Sequence, residues 1–415
     1  MLPVQWARTL AQDVWLAFRN VTRQRRRSLM GVVAVAFGII ALILAAGFIE
    51  WVYWAMREGV IGSRIGHIQV VRAGYLESGT ADPFRFLLPE TAPERDAIEQ
   101  VAGVRAVAPR LAFSGLVSLG ESTLSFTGEG IDPEKERTFS TAVVMTQGEG
   151  MSPDDQRGII VGQGLAANLG VKTGDQVVLL ANTSSGGINA VEVRVRGLFA
   201  TDSKAFDDVA LRVPLRVAQE LLRVKGAHAW VLILDETART TPVADELRAR
   251  LADKGLQIVP WYQLADFYNK TVALFSKQIA VMKLIIAVII ILSISNTLTM
   301  SVLERTGEIG TSMALGIKRA QILAQFVGEG AIIGVIGGVV GVVLGLLLAF
   351  AISAVGIPMP PPPGMARSFI GEVRVTGSLV AEAFALGIAT TLAASLYPAW
   401  KASRMEIVNA LRHNR

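Results

Sequence analysis

The sequence predicts an α-helical membrane protein with four transmembrane helices and a large α+β extracytoplasmic domain inserted between helices 1 and 2. Of the 415 residues, 51% are hydrophobic and only 18% are charged, and the mean hydropathy is +0.45. A chain of this length with these values is too apolar to be a soluble protein. Its long uncharged runs occur in the order one run, a polar stretch and three runs, so the polar stretch is the inserted domain.

The four uncharged runs are the predicted transmembrane helices. A hydrocarbon core of about 30 Å requires about 20 helical residues at about 1.5 Å per residue. The runs cover residues 28–49, 284–303, 330–355 and 383–400. We therefore expect one span before the domain and three spans after it.

The basic residues beside these runs predict the orientation of the chain. Short cytoplasmic flanks of membrane proteins are enriched in Lys and Arg. Three groups of basic residues lie together on the cytoplasmic side of the membrane only if both termini are cytoplasmic. This orientation places residues 57–270 outside the cell membrane. The groups are Arg19, Arg23, Arg25, Arg26 and Arg27; Arg305, Lys318 and Arg319; and Lys401, Arg404, Arg412 and Arg415.

Local patterns in the polar stretch predict an α+β domain. The segment GIIVGQGLAANLGVKTGDQVVLL (158–180) has the order strand, short helix, turn and strand. Charged and apolar residues alternate in VEVRVRGLFA, as in a half-buried strand. The segment TPVADELRARLADKG (241–255) has helical spacing with a glycine at its end.

The N-terminal residues 1–27 are predicted to form an amphipathic helix at the inner membrane surface. Leu10, Val14, Phe18 and Val21 recur at helical spacing, with Trp6 nearby. Both a simple topology anchor and a gating role are compatible with this pattern.

The sequence offers no catalytic constellation. It has no cysteine, and its three histidines, His67, His228 and His413, are scattered, so no metal site is predicted. It also lacks the GxxxxGK[ST] phosphate loop. We therefore expect no enzyme activity, no cofactor in this chain and no ATP hydrolysis by the chain itself.

Two further motifs are candidates for packing or contact. The third run carries glycines four residues apart, a pattern that permits close helix packing within one chain or at a dimer seam; they are Gly330, Gly334 and Gly338, and Gly337, Gly341 and Gly345. Consecutive prolines between the third and fourth runs predict a stiff polyproline II segment, which is either a rigid turn or a contact site for substrate or an outer partner. These are Pro360, Pro361, Pro362 and Pro363.

A charged segment, ERTGEIGTSMALGIKRAQ (304–321), lies between the second and third runs. Ile309, Met313 and Ile317 are four residues apart, and so are Glu304 and Glu308, which predicts a short amphipathic helix with an apolar ridge. Such a ridge suits a groove on a soluble partner, and an ordinary membrane-surface loop is the alternative.

Three segments in order along the chain resemble the FtsX/MacB-type ABC permease family. They are RNVTRQRRRSLMGVVAVAFGI, SVLERTGEIGTSMALGIKRAQILAQFVGEGAIIGVIGGVVGVVLG and YPAWKASRMEIVNALRHNR. In the outer domain, GEGIDPEKE and VRVRGLFATDSKAFDDVAL are most similar to the lipoprotein-releasing LolC/LolE-like permeases of this family.

The resemblance implies a permease subunit in the bacterial cytoplasmic membrane with a periplasmic MacB-like domain. A separate P-loop ABC ATPase, in two copies, would bind ATP and Mg²⁺, and a second permease subunit, identical or related, would complete the transporter. A periplasmic adaptor or chaperone and membrane lipids are further expected partners, and nucleic acid is not. The cargo would be lipoprotein, lipid or another amphiphile moved by mechanotransmission; the alternative is an FtsX-like scaffold that relays the ATPase state to an extracytoplasmic enzyme.

The resemblance also implies which residues couple to the ATPase and where the domains begin. The coupling residues are Glu304, Arg305, Glu308, Ile309, Met313, Leu315 and Gly316, facing the ATPase or shaping the loop, while Arg305 and Glu308 pairing with each other remains open. The expected division is N-terminal helix 1–27, helix 1 with its stalk 28–56, periplasmic domain 57–270, stalk and helix 2 271–303, coupling helix 304–321, helix 3 322–355, proline-rich loop 356–375, helix 4 376–400 and tail 401–415.

Overall fold

The computed structural model describes residues 25–406, except residues 80, 140, 202 and 361–368. The predicted N-terminal helix lies outside the described residues up to residue 24. Pro361, Pro362, Pro363 and His413 also lie outside them.

The helices of the described chain include four long ones and nine short ones. They are α1 (Arg25–Val60), α2 (Tyr75–Ser78), α3 (Pro93–Glu99), α4 (Pro133–Phe139), α5 (Gln163–Leu169), α6 (Lys204–Asp207), α7 (Leu215–Leu222), α8 (Thr240–Arg250), α9 (Trp261–Leu264), α10 (Asp266–Glu304), α11 (Thr306–Ala314), α12 (Arg319–Val355) and α13 (Gly377–Ser403). A π-helical turn, Ile61–Ile65, follows α1, and 3₁₀ turns cover Pro83–Phe86 and Thr237–Arg239.

The strands form one large mixed sheet and one small pair. They are β1 (Ile68–Arg72), β2 (Val104–Leu119), β3 (Ser122–Ile131), β4 (Val144–Gly148), β5 (Gly158–Gly162), β6 (Gln176–Asn182), β7 (Ile188–Ala200), β8 (Ala210–Pro214), β9 (Ala229–Leu234), β10 (Leu256–Pro260), β11 (Ile357–Met359) and β12 (Phe369–Gly371). The order in the large sheet is β10-β1-β9-β2-β3-β8-β5-β7-β4, with β6 paired to β2 and β7, and β11 pairs with β12.

Four helices of the described chain are long and apolar enough to cross a membrane, as the sequence predicted. They lie within Arg26–Ile65, Asp266–Glu304, Arg319–Val355 and Gly377–Ser403. Each helix extends beyond its uncharged run, because a helical backbone satisfies its own hydrogen bonds whether the flanking side chains are charged or apolar. The predicted spans are therefore shorter than the helices that contain them.

The chain divides into two compact units. Of the described residues, one unit takes 25–53, 272–357 and 370–406, which we call the helical unit, and the other takes 54–271 with 358–360 and 369, which we call the α/β unit. Both α1 and α10 contribute residues to each unit.

The helical unit has an aliphatic core made by all four long helices. Ile39 and Ile43 from α1 meet Ile290 and Ile294 from α10 and Ile333 from α12, and all five side chains are buried. Large apolar side chains remain exposed on the other faces, such as Leu29, Phe37, Leu292 and Phe350. A water-soluble bundle would bury such faces, whereas lipid solvates them.

The local patterns predicted in the α/β unit are confirmed. Residues 158–180 contain β5, α5 and most of β6. In β7, Val191, Val193 and Val195 are buried while Glu192 and Arg194 are exposed. Helix α8 ends at Arg250, before the predicted stop at residue 255. Two main cores form, one where α5 and α7 cover the sheet and one where α3 and α8 do.

Candidate functional site

The connection between α10 and α12, residues 304–321, is a short helix bounded by two non-helical turns. Arg305 interrupts the helix after Glu304, and α11 follows at once. At the other end Gly316 adopts φ +94°, and its N–H donates to the Met313 carbonyl at 3.0 Å. A glycine with positive φ is the usual way to end a helix. The predicted amphipathic helix therefore exists as α11, Thr306–Ala314.

The apolar face of α11 packs against the helical unit itself. Ile309 and Met313 are both buried, in a cluster with Val302, Phe326 and Ala399. This corrects the expectation of an exposed apolar ridge at these two positions: hydrophobic burial against α10, α12 and α13 already removes them from water. Ile309 and Met313 thus hold α11 against the helical unit.

Arg305 has two carboxylate partners of different exposure. Its Nη1 donates to Glu329 Oε1 at 2.8 Å, and its Nε donates to Glu308 Oε2 at 3.3 Å. The Glu329 side chain is 6% exposed and that of Glu308 is 51% exposed. The guanidinium also lies 5.6 Å from the ring centroid of Phe326. Arg305 thus fixes the start of α11 to α12, and the pairing with Glu308, left open by the sequence, is present.

The other predicted coupling residues form an exposed edge. Leu315 is 82% exposed, and Ile317 and Gly316 beside it are also exposed. Glu304 is exposed and pairs with Arg27 of α1. The exposed edge thus contains the apolar side chain of Leu315 and the acidic side chains of Glu304 and Glu308.

Glu329 is a candidate residue that the sequence analysis did not single out. It directly precedes the uncharged run 330–355, but α12 begins at Arg319, so Glu329 lies well inside the helix and is 4% exposed overall. A single carboxylate in such an apolar helix is costly unless paired. The sequence shows both partners, a basic residue in the preceding segment and an acid in the apolar helix. Their separation of 24 residues follows no helical or strand period, so the pairing could not be predicted from it.

The glycine rows of α12 are filled by helices of the same chain. A Cβ on Gly330 would lie 2.7 Å from Ser395 Cβ, and one on Gly338 would lie 2.7 Å from the Phe384 ring, both on α13. A Cβ on Gly341 would lie 2.9 Å from the Cα of Ala36 on α1. The remaining glycines follow the same division: Gly334 meets Thr391 of α13, and Gly337 and Gly345 meet Val35 and Ile43 of α1. These contacts support the packing interpretation over the dimer seam.

The proline-rich segment is described only in part. Pro360 is exposed, and the strands β11 and β12 flank the segment. Its proposed contact role stays a prediction. Among the residues that the structure describes, no group of three or more His, Asp or Glu side chains is arranged to hold a metal ion.

The fold is a bundle of apolar helices with a short anchored helix between two of them, joined in sequence to a large α/β unit. Residues 280–407 match the family model of the FtsX-like permease C-terminal domain. Residues 28–250, more than half of the chain, match that of the MacB-like periplasmic core domain. The chain therefore belongs to the ABC transporter permeases that combine these two domains.

Individual relatives are distant but cover most of the chain. An uncharacterised ABC transporter permease of Methanocaldococcus jannaschii is 24% identical over 96% of this chain and 97% of its own. The lipoprotein-releasing system transmembrane protein LolC of Xylella fastidiosa is 26% identical over 75% of this chain and 78% of its own. The macrolide export ATP-binding/permease protein MacB of Sodalis glossinidius is 25% identical over 79% of this chain, which spans 51% of that protein.

The solved periplasmic region of MacB from Actinobacillus actinomycetemcomitans is also similar. It has a TM-score of 0.36 and 12% sequence identity, covering 51% of this chain and 95% of its own. The family assignment rests on the sequence matches.

Proposed function

We propose that this permease couples ATP hydrolysis by a separate P-loop ABC ATPase to a conformational change of its α/β unit, and so moves lipoprotein, lipid or another amphiphile. Two ATPase copies, carrying the ATP and Mg²⁺, would act beneath the cytoplasmic membrane on a pair of permease subunits, identical or related. In this arrangement both termini and α11 are cytoplasmic, and the α/β unit is periplasmic, where an adaptor or chaperone is a further candidate partner.

The observation that carries the proposal is that α11 has one buried, anchored face and one exposed edge. One face is fixed to α10, α12 and α13 by burial of Ile309 and Met313 and by the buried pair of Arg305 with Glu329. The other edge exposes Glu308 and Leu315. A helix that is rigidly attached on one face can pass on a force that a partner applies to the other.

The division of roles follows from exposure. Glu304 and Glu308 would form charged contacts with the ATPase, and Leu315 would enter an apolar pocket on it, since interface centres favour a buried apolar anchor with a polar rim. Gly316 sets the direction of the chain after α11. Arg305, Ile309 and Met313 would hold the helix in place.

Charge reversal at Glu308 tests the proposal. Glu308→Lys should abolish co-purification with a co-expressed cognate ATPase and its permease-stimulated hydrolysis, because like charges at an interface cost several kcal/mol, while membrane insertion is unchanged. Glu246→Lys on α8 is the matched control, because Glu246 is also an exposed acid that pairs with an arginine, Arg250. ATPase association and stimulation equal to those of the wild type in Glu308→Lys would contradict the proposal.

A further inference from the structure

The first long helix ends inside the α/β unit in a buried π-helical turn. After α1 the chain forms the turn Ile61–Ile65, and Gly66 at φ +65° then leads into β1. A Cβ on Gly66 would lie 2.9 Å from the Leu232 carbonyl oxygen, so the main chain passes close to β9. The last carbonyls of a helix have no partner within the helix, and π-turns occur preferentially at functional sites.

Two buried arginines donate to the carbonyls of this turn. The Nη2 of Arg212 on β8 donates to the Ser63 carbonyl, and the Nη1 of Arg110 on β2 donates to the Arg64 carbonyl. Arg212 is 0% exposed and Arg110 is 7% exposed. Two strands thereby hold the end of α1 directly.

Two carboxylates orient these arginines. Glu136 Oε1 on α4 accepts from Arg110 Nη2 at 2.9 Å and from Arg212 Nη1 at 3.3 Å. Glu129 Oε2 on β3 accepts from Arg212 Nε at 3.1 Å. Burial alone would raise the pKa of Glu129, but the charges of Arg212 and Arg110 more than offset it and hold that pKa below its usual range. Glu129 thus takes part in a charge-assisted hydrogen bond, and the geometry of the arginines is set by both carboxylates.

A second set of contacts holds the turn of α1 just before the π-turn. Glu58 accepts from the Thr237 hydroxyl at 3.1 Å, and the same hydroxyl lies 3.1 Å from His67 Nε2. His67 Nδ1 accepts from the Leu234 N–H at 3.2 Å. These bonds reach only the region of β1 and β9, so they attach the helix to one part of the sheet.

The position of the strands gives the arginine cluster a distinct role. The chain itself leads from the π-turn into β1, which pairs with β9 and β10. Strands β3 and β8 lie beyond β2 in the sheet order, and α4 follows β3. Through Arg110 and Arg212 the same helix end is bonded directly to β2 and β8, and through Glu136 it is linked to α4. The turn also accepts a bond from the Ala142 N–H to the Gly62 carbonyl at 3.3 Å, and Phe139 of α4 lies in the same buried cluster as Ile61 and Ile65. The arginines add charged, directional bonds from the turn to β2 and β8.

We propose that Arg110 and Arg212, held by Glu136, are positioning residues that carry the displacement of α1 to β8 and α4. This inference rests on the proposed function and specifies how the α/β unit receives the motion. A cavity of about 380 Å³ borders Glu136 and Arg212, with Val143, Met145 and Met151 also in its wall. Since protein interiors are otherwise close-packed, this side of α4 is less tightly packed than a filled core.

Hydrogen exchange of the full-length protein with its ATPase, with and without a non-hydrolysable ATP analogue, tests the inference. In the wild type the analogue should change exchange in α11, in β1, and in β8 and α4. In Arg110→Met and Arg212→Met the change in α11 and β1 should remain, that in β8 should be lost and that in α4 should be reduced. Arg110→Lys is a milder variant, because lysine keeps the charge beside Glu136 but lacks the fork that reaches two acceptors.

The control is Arg157→Met in the same unit, whose guanidinium bonds to Glu220 at 2.9 Å and to the Glu192 carbonyl. It should respond like the wild type. An unchanged response of β8 and α4 in all three cluster variants would overturn the inference, and so would faster exchange across the whole α/β unit in Arg110→Lys, which would mark an ordinary core residue. If α11 does not respond in the wild type, the proposed function fails, and this inference fails with it.

Discussion

The two partners of Arg305 allow the anchoring of α11 to be separated from its contact with a partner. Glu329→Gln removes the charge of the buried partner and keeps its size, and Glu308→Gln does the same at the exposed partner. Both variants break one ion pair with the same guanidinium. They differ in whether water can take the place of the lost carboxylate.

The expected magnitudes differ accordingly. Breaking a buried ion pair costs about 3–5 kcal/mol, because the remaining charge is left without a partner in a low dielectric. Since glutamine still offers an oxygen to Arg305 and Glu308 remains nearby, we expect the lower end, about 3 kcal/mol. An exposed pair contributes about 0–1 kcal/mol. Local opening of α11 should therefore become about a hundredfold more frequent in Glu329→Gln and less than about tenfold more frequent in Glu308→Gln.

Hydrogen exchange of α11, with α8 of the α/β unit as the internal reference, measures this opening in the purified full-length protein. Glu329→Gln should also lower ATPase stimulation while ATPase binding persists, since Glu308 and Leu315 are intact. Equal exchange rates in the two variants would refute the reasoning, because the difference in burial would then have no energetic consequence.

Two further predictions concern packing and pH. Gly334→Ala should lower the melting temperature, because overpacking costs about 1–3 kcal/mol. Adding Thr391→Ala should restore part of the loss, because the new methyl group meets the Thr391 side chain. In Gly341→Ala the new methyl group meets the main chain of α1, so shortening a side chain should not restore stability. Burial lowers the pKa of His67 and His228, so their contribution to stability is complete above about pH 6.5 and is lost as the pH falls below it. The melting temperature of the wild type should therefore fall between about pH 7.5 and about pH 5.5, and this fall should be smaller in a His228→Gln variant.

The sequence predicted what depends on local pattern. Composition and uncharged runs gave the four apolar helices, and period-two alternation identified β7 through Val191, Val193 and Val195. The spacing of Ile309 and Met313 identified α11 and its apolar face. The pattern could not state what covers that face, because an apolar stripe is the same whether a partner or the chain's own helices bury it.

The ion pairs that organise both sites were not predictable in this way. Glu329 pairs with Arg305 across 24 residues, and Glu136 pairs with Arg110 and Arg212 across 26 and 76 residues. Such contacts are set by which helices and strands the fold brings together. The periodicity of a single segment contains no information about such long-range pairs, so only the three-dimensional structure shows them.

Both clusters lie at a helix end, and their chemistry suits the transfer of motion better than stability. A buried ion pair adds little net stability compared with apolar side chains of the same size. It does impose geometry: apolar contacts are non-directional and can slide, whereas a guanidinium bonded to two acceptors cannot shift without losing a charged hydrogen bond. Arg305 at the start of α11 and Arg110 with Arg212 at the end of α1 are thus placed where sliding would dissipate a displacement. Under the proposed function, these are the points where motion would enter the helices and leave them.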